Sequence, residues 1–273
     1  MKTKLVTVKN VDSFDKCNLR ELKIGNMKSV CFLQRSSNRD TSALFMNLPE
    51  ICDRFLVQLR DQIQKVFRCS SDTLLRIENQ FERYDRPAFD GVKQAILMSP
   101  TVLKSEYIND FVLKYPNLIS AQVETVLQRQ PRDSSKIFDV KNLYLKWNNA
   151  TKIFPRFTGR NAQFLTGRIE GKCVRDFLKK WVTGEAYQDL ETLYIIGNVA
   201  NRVHAFENLN TSQWNPSKRP KDFHYDPKLI NYNPQSVDCS LYRDIESRSG
   251  KLASVYVGFT SVAFFVWPAS VFV

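Results

Sequence analysis

Hydrophobic residues recur at helical spacing in three segments of the chain. In Lys172–Val182, apolar residues occupy positions i, i+3, i+4, i+7 and i+8, and Gly184 just beyond them predicts where the helix ends. The segments Ile51–Phe67 and Ser105–Tyr115 show the same one-sided pattern, and Ser105 is a candidate N-cap. The pattern therefore predicts three amphipathic helices.

An internal repeat predicts short parallel strands. The spacing L-x-x-L-x-L-x-x-N of leucine-rich repeats occurs twice, as Val140-x-x-Leu143-x-Leu145-x-x-Asn148 and Leu190-x-x-Leu193-x-Ile195-x-x-Asn198. A third, partial copy is Leu19-x-x-Leu22-x-Ile24. Because one predicted helix lies between the two full copies, we expect a strand–helix–strand unit with parallel strands. Leu74–Ile77 and Leu118–Val123 are weaker strand candidates.

The C-terminal part has the pattern of an antiparallel meander. Runs rich in Val, Tyr, Phe and Trp at Ser240–Glu246, Leu252–Val257 and Val262–Trp267 are separated by short turns of small residues. Before them, residues 207–237 contain four prolines and many asparagines, which predicts a long polar loop. Overall we expect an α/β fold of irregular leucine-rich-repeat-like layers of short strands and helices, closed by a C-terminal antiparallel β meander.

Composition and charge narrow the function classes. The formal net charge is +12, and residues 92–182 hold most of the excess, with 16 basic and 7 acidic side chains. A basic surface attracts nucleic acid, anionic lipid or acidic protein, but it also serves simply to keep a protein soluble. No known nucleic-acid-binding motif accompanies the charge, so a basic nucleic-acid-binding module is the alternative interpretation rather than the first.

The reactive side chains indicate neither an enzyme nor a metal protein. His204 and His224 have no partners at ligand spacing, and no nucleophile or phosphate-binding motif occurs. The six cysteines form no zinc or redox motif, and Cys52 and Cys173 fit apolar helix faces. We therefore expect no catalytic residue, metal or cofactor. Without a signal peptide or a membrane-length apolar run, we expect a cytoplasmic or nuclear protein with reduced thiols.

Four ordered segments resemble a known family. They are Val66–Asp72 after a long helix, Phe177–Gly184 followed by Leu190–Leu193, Tyr242–Ser254, and Phe264–Trp267. Together they are similar to the F-box-associated domain of the second type, over about residues 50–267. The resemblance implies a substrate-recognition domain of an F-box-type ubiquitin-ligase receptor, which captures the protein to be ubiquitinated and needs no cofactor.

The F-box of that family is not recognisable in this sequence. Only Leu48-Pro49-Glu50 matches a fragment of it, and the second helix of an F-box is missing after that fragment. We therefore divide the chain into a β-rich N-terminal segment, residues 1–47, and an F-box-associated type 2-like domain, residues 48–273. A link to the cullin–RING ligase adaptor rests on the resemblance alone.

Aromatic and basic residues at predicted surface positions are the candidates for contact with an unknown target protein. If the leucines of the repeats face inward, the tyrosines between them face outward, unless a covering helix buries them. The tryptophan of the polar loop is either an anchor tucked against the domain or a displayed contact. Trp181 and Trp267 fit core positions. The candidate partner-binding residues are Tyr144, Tyr194, Trp214, Lys218, Arg219 and Lys221.

Overall fold

A computed structural model gives the fold of the chain. It describes the backbone of five N-terminal strands and, with side chains, residues 92–99, 101–146, 152–225 and 236–269. The chain comprises two compact units, Met1–Pro131 and Arg132–Val273. The helix expected over Ile51–Phe67 and the F-box-like fragment lie outside the described residues. The domain division expected between residues 47 and 48 stays a prediction.

Where the structure describes it, the first unit contains seven strands and one helix. The strands are β1 (Leu5–Val8), β2 (Leu19–Ile24), β3 (Met27–Arg35), β4 (Ser42–Asn47), β5 (Thr73–Glu78), β6 (Val92–Met98) and β7 (Ser120–Glu124). Strands β1, β5, β6 and β7 pair in parallel in that order, whereas β2, β3 and β4 form an antiparallel sheet. The two weaker strand candidates are thus confirmed as β5 and β7. The partial repeat copy is also a strand, β2, but its antiparallel pairing differs from that expected of a repeat.

Helix α1 (Ser105–Lys114) connects two parallel strands, as parallel pairing requires. Its buried residues include Ile108, Phe111 and Val112, which follow the predicted apolar face. The expected cap is one residue off, because Lys104 is the N-cap and the Ser105 hydroxyl donates to Glu106 instead of capping the helix.

The described residues of the second unit form nine strands, helix α2 (Gly171–Thr183) and short 3₁₀ helices that include Arg202–Phe206. The strands are β8 (Asn142–Lys146), β9 (Asn161–Glu170), β10 (Thr192–Ala200), β11 (Ser212–Gln213), β12 (Asp222–His224), β13 (Ser236–Asp238), β14 (Arg243–Glu246), β15 (Leu252–Val257) and β16 (Ser261–Val266). The main sheet has the order β8-β9-β10-β16-β15-β14-β11, and β12 pairs with β13 alone.

This sheet is mixed. Strands β8, β9 and β10 are parallel, and the pairs formed by β16, β15, β14 and β11 are antiparallel. The chain is therefore an α/β protein, and the expected C-terminal antiparallel meander is confirmed as β14, β15 and β16.

Strand β9 was not predicted and changes the expected topology. It lies between β8 and β10 and pairs with both, so α2 connects β9 to β10 rather than the two repeat strands directly. Its apolar alternation stops after Ala162 and Phe164, because the register with β10 shifts between Ile196 and Asn198. A bulge of this kind changes which residues face inward and hides the strand from a period-two pattern.

The segment expected to be one long polar loop contains short strands where it is described. Strands β11 and β12 lie within it, and β13 overlaps its end. Each is only two or three residues long, and β11 pairs with the distant β14. A run of two or three residues is too short to show an alternation of apolar and polar positions. The sequence pattern therefore could not predict these strands.

Helix α2 covers one face of the sheet in the second unit. Its apolar residues Val174, Phe177, Leu178 and Trp181 are all buried. The rings of Phe177 and Trp181 each meet the ring of Phe264 on β16 edge to face, at 5.1 Å. Burying aromatic side chains in this way contributes about 1.5–3 kcal/mol per residue, so this contact is a major part of the core.

The end of α2 requires a left-handed residue. Gly184 has φ +82°, and the backbone N–H of Glu185 donates to the carbonyl of Lys180 at 2.9 Å. A side chain at this position would meet no other atom within 4 Å, so only the backbone conformation disfavours it. The predicted helix stop is confirmed.

We predict that Gly184→Ala lowers the free energy of unfolding by about 1–2 kcal/mol, the usual cost of a left-handed L-residue. Gly184→Asn is the matched control and should cost less, because asparagine tolerates this conformation. Urea unfolding followed by circular dichroism measures both. Equal stability of the alanine variant and the parent would contradict the argument.

Candidate functional site

The two repeat strands present alternate residues to opposite faces of the sheet. Leu143 and Leu145 on β8 are buried, and so are the corresponding Leu193 and Ile195 on β10. Tyr144 and Tyr194 between them are half-buried and point to the face opposite α2. The alternation expected from the repeats is therefore present.

Three tyrosines stand in one row on that face. Tyr144 and Tyr194 both lie level with Gln163 on β9, and Tyr194 lies level with Ala263 on β16. Ala263 is in turn level with Tyr256 on β15. Since neighbouring strands are about 4.8 Å apart, the tyrosines follow one another at about 10 Å. We call Tyr144, Tyr194 and Tyr256 the tyrosine row.

The outer end of the tyrosine row is the most exposed. Tyr256 is 39% exposed, and its ring stacks on that of Tyr242 at 5.2 Å between centroids. Leu241, which precedes Tyr242 in the chain, is 86% exposed. Leu241, Tyr242 and Tyr256 were not among the contact residues predicted from the sequence. For Tyr256 a signal was present, because the inward-facing Ala253 and Val255 predict that the next residue, Tyr256, faces outward.

Arg219 corrects the expectation of an exposed basic loop. Its side chain is 0% exposed and binds Asp244 on β14, with Nε donating to both carboxylate oxygens at 3.0 Å and Nη2 donating to Oδ1 at 2.8 Å. It also donates to the carbonyls of Pro220 and Cys239 and lies 4.8 Å from the Trp267 ring centre. Because every direction around the guanidinium is occupied, Arg219 is a structural residue.

Two further hydrogen bonds complete the buried charge pair. The Ser254 hydroxyl donates to Asp244 at 2.8 Å, and the Trp267 indole donates to Ser254 Oγ at the same distance. Buried charges are tolerated when all their hydrogen-bonding groups are used. This network binds the chain around residue 219 to β14, β15 and the end of β16.

The other candidate residues near Arg219 play two different roles: Trp214 anchors the segment, and Lys218 and Lys221 are exposed cations. Trp214 is half-buried, and its indole N–H donates to the Arg219 carbonyl at 3.2 Å, which favours the anchor over the displayed contact. Lys218 and Lys221 are exposed, and the Lys221 ammonium lies 3.4 Å from Asp238. The two lysines remain candidates for partner contact.

The segment after Arg219 packs onto the face that carries the tyrosine row. Phe223 on β12 stacks on Phe265 at 4.9 Å and meets Trp267 edge to face at 5.2 Å. Tyr194 packs against the same cluster. The structure thus brings Tyr194 close to the segment that carries Lys221.

The described residues contain no group of three or more His, Cys, Asp or Glu side chains that could hold a metal ion. Burial raises the pKa of Cys173 to about 11 and of Cys239 to about 12, so neither thiol ionises near neutral pH. The His204 ring forms a hydrogen bond with the carboxylate of Glu207.

Comparison with known protein families, curated proteins and solved structures finds no match. Over the part of the chain that the structure describes, no helix has both the length and the apolar character needed to cross a membrane.

We predict that Asp244→Ala lowers the free energy of unfolding by about 3–5 kcal/mol, because it leaves the Arg219 guanidinium buried without a counter-charge. The double variant Arg219→Met/Asp244→Leu should cost less than Asp244→Ala alone. Lys136→Met, which breaks the exposed pair with Asp139, is the control and should cost less than about 1 kcal/mol. A double variant as unstable as Asp244→Ala would contradict this account.

A pH prediction concerns Asp238. Hydrogen bonds from the side chain and backbone of Ser240 hold the pKa of Asp238 at about 2, below its usual value. A carboxyl with a lowered pKa stabilises the fold above its unfolded pKa and loses that contribution as the pH falls through 2. The stability difference between the parent and Asp238→Asn should therefore shrink between pH 5 and pH 2, measured by urea unfolding. A difference that stays constant over this range would refute it.

Proposed function

We propose that this chain is a protein-interaction domain that binds a target protein through the tyrosine row and the exposed lysines beside it. The observation that carries the proposal is the register of Tyr144, Tyr194 and Tyr256 on alternate strands of one sheet face. Tyrosine supplies a large contact area with a polar end and loses little conformational entropy on binding, which suits it to protein interfaces.

The dimensions of the row favour a protein partner. Three rings at intervals of about 10 Å span about 20 Å, which is comparable to six residues of an extended chain. Leu241 and Tyr242 extend the row with an exposed apolar side chain and a stacked ring. An interface of this kind combines apolar contact with hydrogen bonding by tyrosine hydroxyls.

The family proposal is an F-box-associated domain of the second type, within an irregular leucine-rich-repeat-like α/β fold. The quoted motif residues support it because they occupy structural positions: Trp181 is buried, Gly184 ends α2, and Asp244 and Trp267 belong to the buried network. The parallel strands β8 and β10 with their buried L-x-L residues support the repeat-like interpretation. On this proposal the domain recognises the substrate of a ubiquitin ligase in the cytoplasm or nucleus, and requires no cofactor.

The alternative of a nucleic-acid-binding module is less well supported. Five of the 16 basic residues between 92 and 182 lie against carboxylates, which reduces the positive field that attracts phosphate. The pairs are Lys136–Asp139, Arg156–Asp133, Arg160–Glu191, Arg168–Glu170 and Arg175–Glu207.

The proposal predicts that proteins captured from a native extract by this chain are lost when the tyrosine row is removed. Each of Tyr144→Ala, Tyr194→Ala and Tyr256→Ala should reduce capture about tenfold or more, the effect typical of an interface hot spot. Quantitative mass spectrometry of the eluates measures the loss. Tyr107→Ala on α1 is the matched control and should leave capture unchanged.

The same experiment tests the ligase link. A cullin and its F-box adaptor among the captured proteins would support coupling to ubiquitination. Captured proteins without them would favour a binding domain that acts apart from a ligase. Capture that is equal for the parent and all three tyrosine variants would refute the role of the tyrosine row.

A further inference from the structure

A second surface lies at the end of the sheet where β10 finishes. The 3₁₀ helix Arg202–Phe206 follows β10 directly and carries an arginine at its start and a phenylalanine at its end. A Cβ on Gly171, the first residue of α2, would lie 2.2 Å from the Asn201 carbonyl oxygen. This close approach, possible only with glycine, holds the 3₁₀ helix against the start of α2.

Two arginines on this surface lie over aromatic rings. The Arg202 guanidinium is 3.3 Å from the ring centre of Phe259, in the turn between β15 and β16, and that of Arg243 is 5.0 Å from Phe206. The Phe259 carbonyl accepts a hydrogen bond from the Val199 N–H at 2.9 Å, which attaches the turn to β10. Stacking of this kind holds a guanidinium flat with its N–H groups at the rim.

Apolar side chains beside these arginines are unusually open. Val203 is 76% exposed and Phe259 is 68% exposed. Exposed apolar side chains that cluster with charged groups mark interaction sites more often than isolated ones do. We call Arg202, Val203, Phe206, Arg243 and Phe259 the arginine–aromatic patch.

The positive charge of the patch is not neutralised by its neighbours. Glu170 is engaged by Arg168 at 2.7 Å and by Asn201. Glu207 is engaged by Arg175 at 2.7 Å and by His204. Within the described residues, no carboxylate lies in ion-pair contact with the two arginines of the patch. The nearby acids are thus used by other cations. Arg243 donates to the Thr211 hydroxyl at 3.4 Å, but neither guanidinium of the patch is paired with a carboxylate of the described residues, so both are available to an acidic ligand.

We infer that the arginine–aromatic patch binds an acidic peptide segment that also carries an aromatic or branched aliphatic side chain. Carboxylates match the paired N–H groups of a guanidinium, and Val203 and Phe259 offer contact to an apolar side chain between them. This inference rests on the proposed function and adds to it the chemical class of the partner. A nucleic acid fits less well, because two cations do not form a groove that follows a phosphate backbone.

The test uses an array of peptides of about ten residues, in which two Phe or Leu residues stand among Asp and Glu. A second array replaces every Asp and Glu by Asn and Gln. The purified full chain should bind the acidic array and not the amide array. Arg202→Ala and Arg243→Ala should each weaken binding about fivefold or more, and Phe259→Ser should weaken it similarly.

Controls separate lost contacts from lost structure. Lys180→Ala removes an exposed cation from the last turn of α2, far along the helix from the patch, and should leave binding unchanged. Arg202→Lys keeps the charge but loses the flat stack, so its affinity should fall between those of the parent and Arg202→Ala. A midpoint of thermal unfolding equal to that of the parent shows that each variant is folded.

Three outcomes would overturn the inference: no binding to the acidic array, equal binding of both arrays, or tighter, arginine-dependent binding of single-stranded oligothymidylate. If any of these occurs while capture of proteins still depends on the tyrosine row, the proposed function stands and only the patch is refuted. If peptide binding depends on Arg202 but the tyrosine variants capture the same proteins as the parent, the arginine–aromatic patch and not the tyrosine row is the recognition site.

Discussion

The buried ion pair between Arg219 and Asp244 is the constraint on which the second unit depends. Both side chains are removed from water, so each needs the other and all of its hydrogen bonds. The pair binds a chain segment rich in proline and asparagine to β14. Ser254 donates to the Asp244 carboxylate from β15, and Trp267 after β16 donates to Ser254, so that four separate parts of the chain are joined in one network. Because any other arrangement would leave a buried charge without its hydrogen bonds, the network favours a single arrangement of these four parts.

That arrangement determines what the sheet shows to solvent. Helix α2 covers one face through the rings of Phe177 and Trp181. The segment held by the ion pair covers part of the opposite face, where Phe223 stacks on Phe265. Tyr194, in the middle of the tyrosine row, packs against this cover, whereas Tyr256 at one end of the row is exposed. The arginine–aromatic patch occupies the end of the sheet, where Val203 and Phe259 are largely exposed.

A residue's role was predicted correctly from sequence when its partners were close along the chain, and incorrectly when they were distant. The apolar face of α2 and the left-handed Gly184 are local features, and both were predicted. Strand β9 was missed because its register shift with β10 breaks the alternation. Arg219 was assigned to the surface because its neighbours in sequence are polar, and its counter-charge lies 25 residues away.

The sequence by itself determined the α/β class, both described helices, the outward alternation of Tyr144 and Tyr194 and the C-terminal meander, because spacing and capping are written locally. Only the tertiary structure decided that Tyr256 continues the tyrosine row and that Arg219 is buried. It also decided that Arg202 and Arg243 form no ion pair with a carboxylate in the described part of the chain. Strand register and the choice among several possible ion-pair partners are long-range properties, and no window of sequence contains them.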